Sequence, residues 1–415
     1  MLVPSISEGV PAASIFPAKY PDIRRSDFPT DFKFGASTSA LQGQNPHRAT
    51  WVMLLFPIST TKYDTCSANP GNITDGKGEI NQKGIDFYHN LIDELVKNGT
   101  SKIISSIIMK RWTTINEPSV FAQYGYKLGL PIPDDPTKNP YIAAHNIILA
   151  HSAAARLYRE NYKGYQGGEI GISVSIEWFE PYSASIADKE ATTRAFSFLV
   201  GWFLEPLVYG DYPFMMKALV RDRLPTFKDE EKEVVKGGID FIGINYYTSR
   251  YARSLPLNTN VSPVGGYIED QYVKQEVDTD GRPIGDPVNG NPNIYSVPDG
   301  LRDALIYMKN HYNNPTFYIT ENGISEPRDD TIPLEQALVD YHRIMFILRH
   351  LNAVKEAIRE GVNVKSHFVW ALIDCMEVGS GYSARFGLNY TDYSDNKLRR
   401  YPKRSAQGLS QFLKD

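Results

Sequence analysis

The sequence predicts an α/β fold with a parallel sheet, built as one barrel-like domain. Three observations lead there. Short apolar, β-rich segments alternate with segments of helical spacing along most of the chain, which is the order of a parallel α/β protein. With 415 residues, 42% hydrophobic and 22% charged, the chain can bury one large core. Two glutamates, Glu117 and Glu321, each follow an apolar strand directly, as active-site residues do at the C-terminal face of an α/β barrel.

The elements follow in order. Met1 to Phe28 is rich in Pro, Ser and Ala and has no continuous apolar run, so residues 1–28 are expected to be a disordered lead-in without a signal peptide, and residues 29–415 a single barrel. Strands are expected over Phe32 to Thr38, Arg111 to Asn116, Glu169 to Trp178, Asp240 to Tyr247, Thr316 to Thr320 and Val364 to Leu372, all largely apolar and mostly bounded by Gly, Asn or Pro. Ile85, Tyr88, Leu91, Ile92, Leu95 and Val96 recur at helical spacing, with Asn98-Gly99 as a stop. Further helices fit Ala143 to Tyr162, Glu190 to Leu207, Gly300 to Tyr312 and Leu334 to Gly361, the last with a bend. Leu255 to Tyr295 is rich in Gly, Pro, Asn and Asp and reads as a long excursion between elements.

Composition excludes several classes. A formal charge of −4, with no basic run denser than Lys397 to Arg400, does not suit a nucleic-acid partner. No stretch of about 18 apolar residues offers a membrane span. Cys66 and Cys375 lack the spacing of a zinc site or redox pair and read as inert thiols, and no cofactor or metal is expected. Asn72, Asn98, Asn260 and Asn389 lie in glycosylation tripeptides, which matter only in a secreted chain; an intracellular location is favoured here and otherwise left open.

The chemistry rests on Thr114-Ile115-Asn116-Glu117-Pro118 and Ile319-Thr320-Glu321-Asn322-Gly323. A lone Glu after a strand is ordinarily a helix start or a solvated charge. Here both clusters resemble those of glycoside hydrolase family 1, the β-glucosidase family, whose acid/base lies in Asn-Glu-Pro and whose nucleophile lies in Thr-Glu-Asn-Gly. The resemblance extends in family order through Asp27-Phe28-Pro29, Phe34-Gly35, Trp202 to Pro206, Gly210 to Pro213, Gly243 to Thr248, Gly381-Tyr382 and Arg385 to Gly387. Within the family the chain is similar to plant enzymes, including those that deglucosylate alkaloid glucosides.

That resemblance implies a (β/α)8 TIM barrel acting on a small-molecule β-glucoside. Retention of configuration requires two carboxyl groups roughly 5 to 5.5 Å apart, one attacking the anomeric carbon and the other protonating the leaving oxygen. Glu321 is the expected nucleophile and Glu117 the expected proton donor, kept protonated by the negative charge beside it. Gln42, Asn116, Asn245, Tyr247, Trp370, Glu377 and Phe386 match positions that hold the sugar or orient the nucleophile.

Departures from the family pattern matter as much. Between Gly76 and Ile80 the text passes from an early loop to the third helix, omitting the second strand and the arginine that hydrogen-bonds the nucleophile. After Gly99 much of the third βα unit is missing; Lys102 to Ile108 is apolar enough for a substitute strand but carries no His-Trp pair. The barrel is therefore expected to be incomplete and the activity weak or absent. A truncated splice form or gene model, a pseudoenzyme, and an enzyme with a rebuilt wall all account for such gaps. The alternative function is an inactive form whose open barrel edge associates with itself or with full-length β-glucosidases and modulates them.

Overall fold

The computed structural model of the protein describes residues 21–39, 52–55, 111–124, 135, 137–256, 266–289, 291–377, 380–395 and 398–414. Gln42, Cys66, the expected helix around Ile85 to Val96, both gap regions before Arg111, and the tripeptides at Asn72, Asn98 and Asn260 lie outside these residues.

One eight-stranded sheet organises the molecule. Its strands are β1 (Lys33–Ser39), β2 (Val52–Leu55), β3 (Arg111–Asn116), β4 (Glu169–Pro181), β5 (Phe241–Ser254), β6 (Val273–Glu276), β7 (Thr316–Asn322) and β8 (Val364–Trp370). The hydrogen-bonded order is β2-β1-β8-β7-β5-β4-β3, all parallel, with β6 added antiparallel to the outer half of β5. Neighbours follow chain order around a curled half-barrel, as in a (β/α)8 barrel. Among the described residues seven parallel strands are present, and β2 and β3 at the two ends of the path are not paired with each other.

Sequence decides which face of each strand meets the helices. Along β4, Ile172, Val174, Ile176 and Trp178 join the main apolar core, while the alternate residues Ser173, Ser175 and Glu177 point to the barrel interior, the two-residue period of a pleated strand. On β5, Ile242, Ile244 and Tyr246 pack outward against that core, leaving Gly243, Asn245 and Tyr247 facing inward. Gly243 suits its position because a Cβ would meet the Ser173 hydroxyl at 2.3 Å.

The helical layer includes α1 (Pro118–Tyr124), α2 (Asn139–Asn161), α3 (Ile186–Phe196), α4 (Trp202–Tyr209), α5 (Pro298–His311), α6 (Tyr341–Arg359) and α7 (Arg404–Phe412), among shorter helical segments. Of these, α2 and α5 answer to expected helices with small boundary shifts. Glu190 to Leu207 is not one α-helix, because Ser197–Gly201 forms a π-turn between α3 and α4. The expected bend in Leu334 to Gly361 falls at Leu338 to Asp340, where Leu334–Ala337 ends and α6 begins. The excursion from Leu255 to Tyr295 contributes β6 and short ribbons, and β5 extends to Ser254 to pair with it. Ile23 and Phe28 are buried in the main core, so packing begins on the lead-in side of residue 28.

Candidate active site

Both motif glutamates sit where a strand gains one residue over its neighbour. On β3, Thr113 and Asn116 pair with Gly171 and Ser173 of β4, so three residues advance against two. On β7, Ile319 and Glu321 pair with adjacent Ile244 and Asn245 of β5, and Ile319 and Asn322 with His367 and Val369 of β8. Such bulges re-aim a side chain at a barrel rim. Glu117 itself adopts φ 49°, a left-handed conformation that costs a non-glycine residue on the order of 1 kcal/mol or more. Its N–H donates to the Ser173 carbonyl (2.8 Å), and its carbonyl accepts from the Val120 N–H (2.9 Å) at the start of α1.

A rail of amides joins the two carboxylates. Asn116 Nδ2 donates to Glu321 Oε1 (3.3 Å), Asn245 Nδ2 donates to Asn116 Oδ1 (3.0 Å) and to Glu117 Oε1 (3.1 Å), and Thr320 Oγ1 donates to Asn245 Oδ1 (2.5 Å). The Tyr247 hydroxyl donates to Glu321 Oε2 (2.6 Å). Asn245, Thr320 and Glu321 are buried, so each of these bonds replaces water that the groups have lost. Behind them Ser37 Oγ donates to the Thr320 carbonyl (2.5 Å), and His367 Nε2 lies 3.0 Å from Asn322 Oδ1.

An aromatic wall adjoins this centre. Trp370 and Phe386 are buried in one cluster with Ala371 and Cys375, and Tyr247, Ile294 and Ala384 pack on it. Phe386 meets Tyr247 edge-on at 6.1 Å. Trp370 Nε1 donates to Glu377 Oε1 (3.2 Å), and the Cys375 thiol donates to the same oxygen (3.4 Å). Gly323 allows the contact between β7 and β8, since a Cβ there would stand 1.9 Å from the Trp370 carbonyl oxygen.

Electrostatics follow from burial. Glu117 is pushed up by desolvation against hydrogen bonds from Asn245 and Ser175. Glu321 is raised well above the usual carboxylate range by desolvation and then by repulsion from Glu117 and Glu377; the Tyr247 and Asn116 donors pull it back. Glu377 rises to about 7, mainly through burial. Burial thus lifts both carboxyls, and the repulsion between them adds to it. Among the described residues no lysine or arginine pairs with either carboxylate, and no group of His, Cys, Asp and Glu could hold a metal ion.

Of the sequence-predicted set, Asn116, Glu117, Asn245, Tyr247 and Glu321 meet directly, and Trp370, Glu377 and Phe386 form the adjoining wall. Gln42 lies outside the described residues. Ser175, Thr320, Ser37 and His367 were not anticipated. Thr320 stands inside a motif, but a serine on a strand carries no signal of its own. Asn389 is committed, its amide donating to the Leu372 carbonyl (2.7 Å).

Residues 106–415 match the family model described as Glycosyl hydrolase family 1. The chain belongs to glycosyl hydrolase family 1. It is 36% identical to Beta-glucosidase 24 of Oryza sativa subsp. japonica, with 94% of each chain covered. It is 43% identical to the Furostanol glycoside 26-O-beta-glucosidase of Hellenia speciosa over 81% of this chain and 67% of that one. The solved structure of the rice Os3BGlu6 β-glucosidase superposes with a TM-score of 0.79 at 32% identity, covering 92% of this chain and 98% of that one. Family membership makes this a chain of β-glucosidase type and makes its curled sheet a member of the TIM-barrel class.

Proposed function

We propose that this family 1 chain hydrolyses β-D-glucosides with retention, using Glu321 as nucleophile and Glu117 as acid and then base, and that it does so slowly. The observation that carries the reading is the amide rail, which fixes two carboxyl groups from bulged strands at one end of the sheet. In the first step a Glu321 oxygen attacks the anomeric carbon as the glycosidic bond breaks, and Glu117 passes its proton to the leaving oxygen. In the second step Glu117 takes a proton from water, which attacks the same carbon and releases Glu321. Trp370, Phe386 and Tyr247 would supply the apolar platform under the ring, and Glu377 acceptors for its hydroxyls. A mutant of the rice relative Os3BGlu6 has been solved in a covalent complex with Glc from GA4GE, which supports a glycosyl-enzyme route for this site.

The slowness has a physical source. The productive state needs the proton on Glu117 and not on Glu321, yet burial and the neighbouring carboxylates raise Glu321, and among the described residues only the neutral donors Tyr247 and Asn116 oppose them. Support for missing segments in the wall comes from the alignment with Beta-glucosidase 24, which runs over 479 positions and so exceeds the chain's own 415 residues. The test is purified protein with 4-nitrophenyl β-D-glucoside. Turnover above a buffer blank that Glu321→Ala removes is expected. An unsubstituted chain indistinguishable from the blank overturns the reading and leaves an inactive modulator of full-length β-glucosidases in its place.

A further inference from the structure

The interior face of β4 continues outward past the acid. Ser173 is buried, Ser175 hydrogen-bonds Glu117, and Glu177 lies one pleat further on, roughly 6 to 7 Å along the strand. Ser175 and Glu177 are both half-buried, so this row climbs from the floor towards the mouth. Arg250, on the adjacent β5 beyond Tyr247, meets Glu177 there, with Nη2 at 3.4 Å from Oε1. Nη2 also donates to the Asn293 carbonyl (2.6 Å), in the excursion whose Ile294 packs on the Trp370 and Phe386 wall. The pair thus sits beside the sugar platform, on the side of the acid that protonates the leaving group.

Arg250 Nη1 is buried and finds no hydrogen-bond partner among the described residues. A buried charged donor left without an acceptor is costly. Ion pairing with Glu177 engages only the other nitrogen. The arrangement therefore suits an incoming oxygen that accepts from Nη1 while Glu177 keeps the site near neutral overall.

We propose that Arg250 and Glu177 form the aglycone-recognition pair of this site and select glucosides whose aglycone presents a neutral hydroxyl or carbonyl oxygen to Arg250 Nη1. This inference rests on the glycosidase reading only for the direction in which the glucoside lies. A hydrogen bond to a charged donor is worth about tenfold to a hundredfold in affinity. Plain hydrocarbon aglycones gain nothing from it and leave Nη1 without an acceptor.

Titration calorimetry tests it on the full chain carrying Glu321→Gln, with phenyl β-D-glucoside and 4-hydroxyphenyl β-D-glucoside as ligands. The hydroxyl-bearing glucoside is expected to bind at least about tenfold tighter, and Arg250→Met to bring the two within about twofold. Glu177→Gln, which keeps the arginine, should retain the preference. Should Arg250→Met fail to fold, Arg250→Lys keeps a cation for Glu177 but has no second nitrogen to offer, and should lose most of the preference. Equal affinities in the parent, failure of both glucosides to bind, or a preference that survives loss of Arg250 would each overturn the assignment. Turnover of the same two glucosides by the unsubstituted chain is read separately. Discriminating binding without turnover sinks the glycosidase reading and leaves the aglycone assignment standing.

Discussion

Replacing Glu377 by glutamine should stabilise the protein at neutral pH and leave it unchanged in acid. Glu377 Oε1 accepts from the Trp370 indole and the Cys375 thiol, and a glutamine carbonyl can accept the same two bonds. What the substitution removes is the charge. Burial first, and then the Glu117 and Asp374 carboxylates among its neighbours, lift Glu377 from 4.5 to about 7. Below about pH 4.5 the carboxyl is protonated whether the chain is folded or not, so it makes no difference there. As pH rises the unfolded chain releases its proton while the folded chain holds it, and stability falls by 1.36 kcal/mol per unit until about pH 7. The accumulated cost is at most about 3 kcal/mol, reduced by the partial exposure of the side chain. Urea denaturation of both proteins at pH 4, 5.5, 7 and 8.5 measures it. The two curves should coincide at pH 4 and separate steadily to pH 7, with the glutamine chain the more stable. A difference independent of pH, or a less stable glutamine chain at pH 8.5, would refute the reasoning.

Three further outcomes follow from the same geometry. Tyr247→Phe removes the 2.6 Å donor to Glu321, so kcat should drop about tenfold or more and the acidic limb of the kcat/KM profile should move to higher pH; pH-rate curves of both proteins check this. Gly323→Ala places a Cβ 1.9 Å from the Trp370 carbonyl and should cost more than about 3 kcal/mol in urea titrations, with weaker glucose binding because the wall must shift. Arg343→Met leaves Asp340 and Glu326 without a fully buried guanidinium that also holds the Ile324, Arg385 and Phe386 carbonyls, and should cost about 3 to 5 kcal/mol by the same measurement.

The parts of the fold that could be read from sequence were those whose residues speak for themselves. β4 and β8 are rich in β-branched residues, and α2 and α5 carry apolar spacing at 3.6 residues, so their types were legible and only their ends moved. β2 was missed because four apolar residues in an irregular stretch carry no periodicity, and their strand character comes from β1 alongside. The outer half of β5 was invisible for a similar reason, since it is held by β6, in a stretch that reads as loop, on one side and by the outer end of β4 on the other. At the site, the strand-end placement of Glu117 and Glu321 was legible because both motifs follow apolar strands. The bulges that aim them were not, because an extra residue is defined only against the neighbouring strand. Arg250 and Glu177 were equally silent: their significance depends on Ser175 below them and Asn293 beside them, which are far apart in sequence.

Central to all of this is that Glu321 attacks the sugar and is displaced by water. Proton NMR of the glucose first released from 4-nitrophenyl β-D-glucoside, recorded before mutarotation, tests that claim directly. Two displacements at one carbon predict the β-anomer as the initial product. Initial α-glucose would mean a single displacement by water and would contradict the roles given to Glu117 and Glu321.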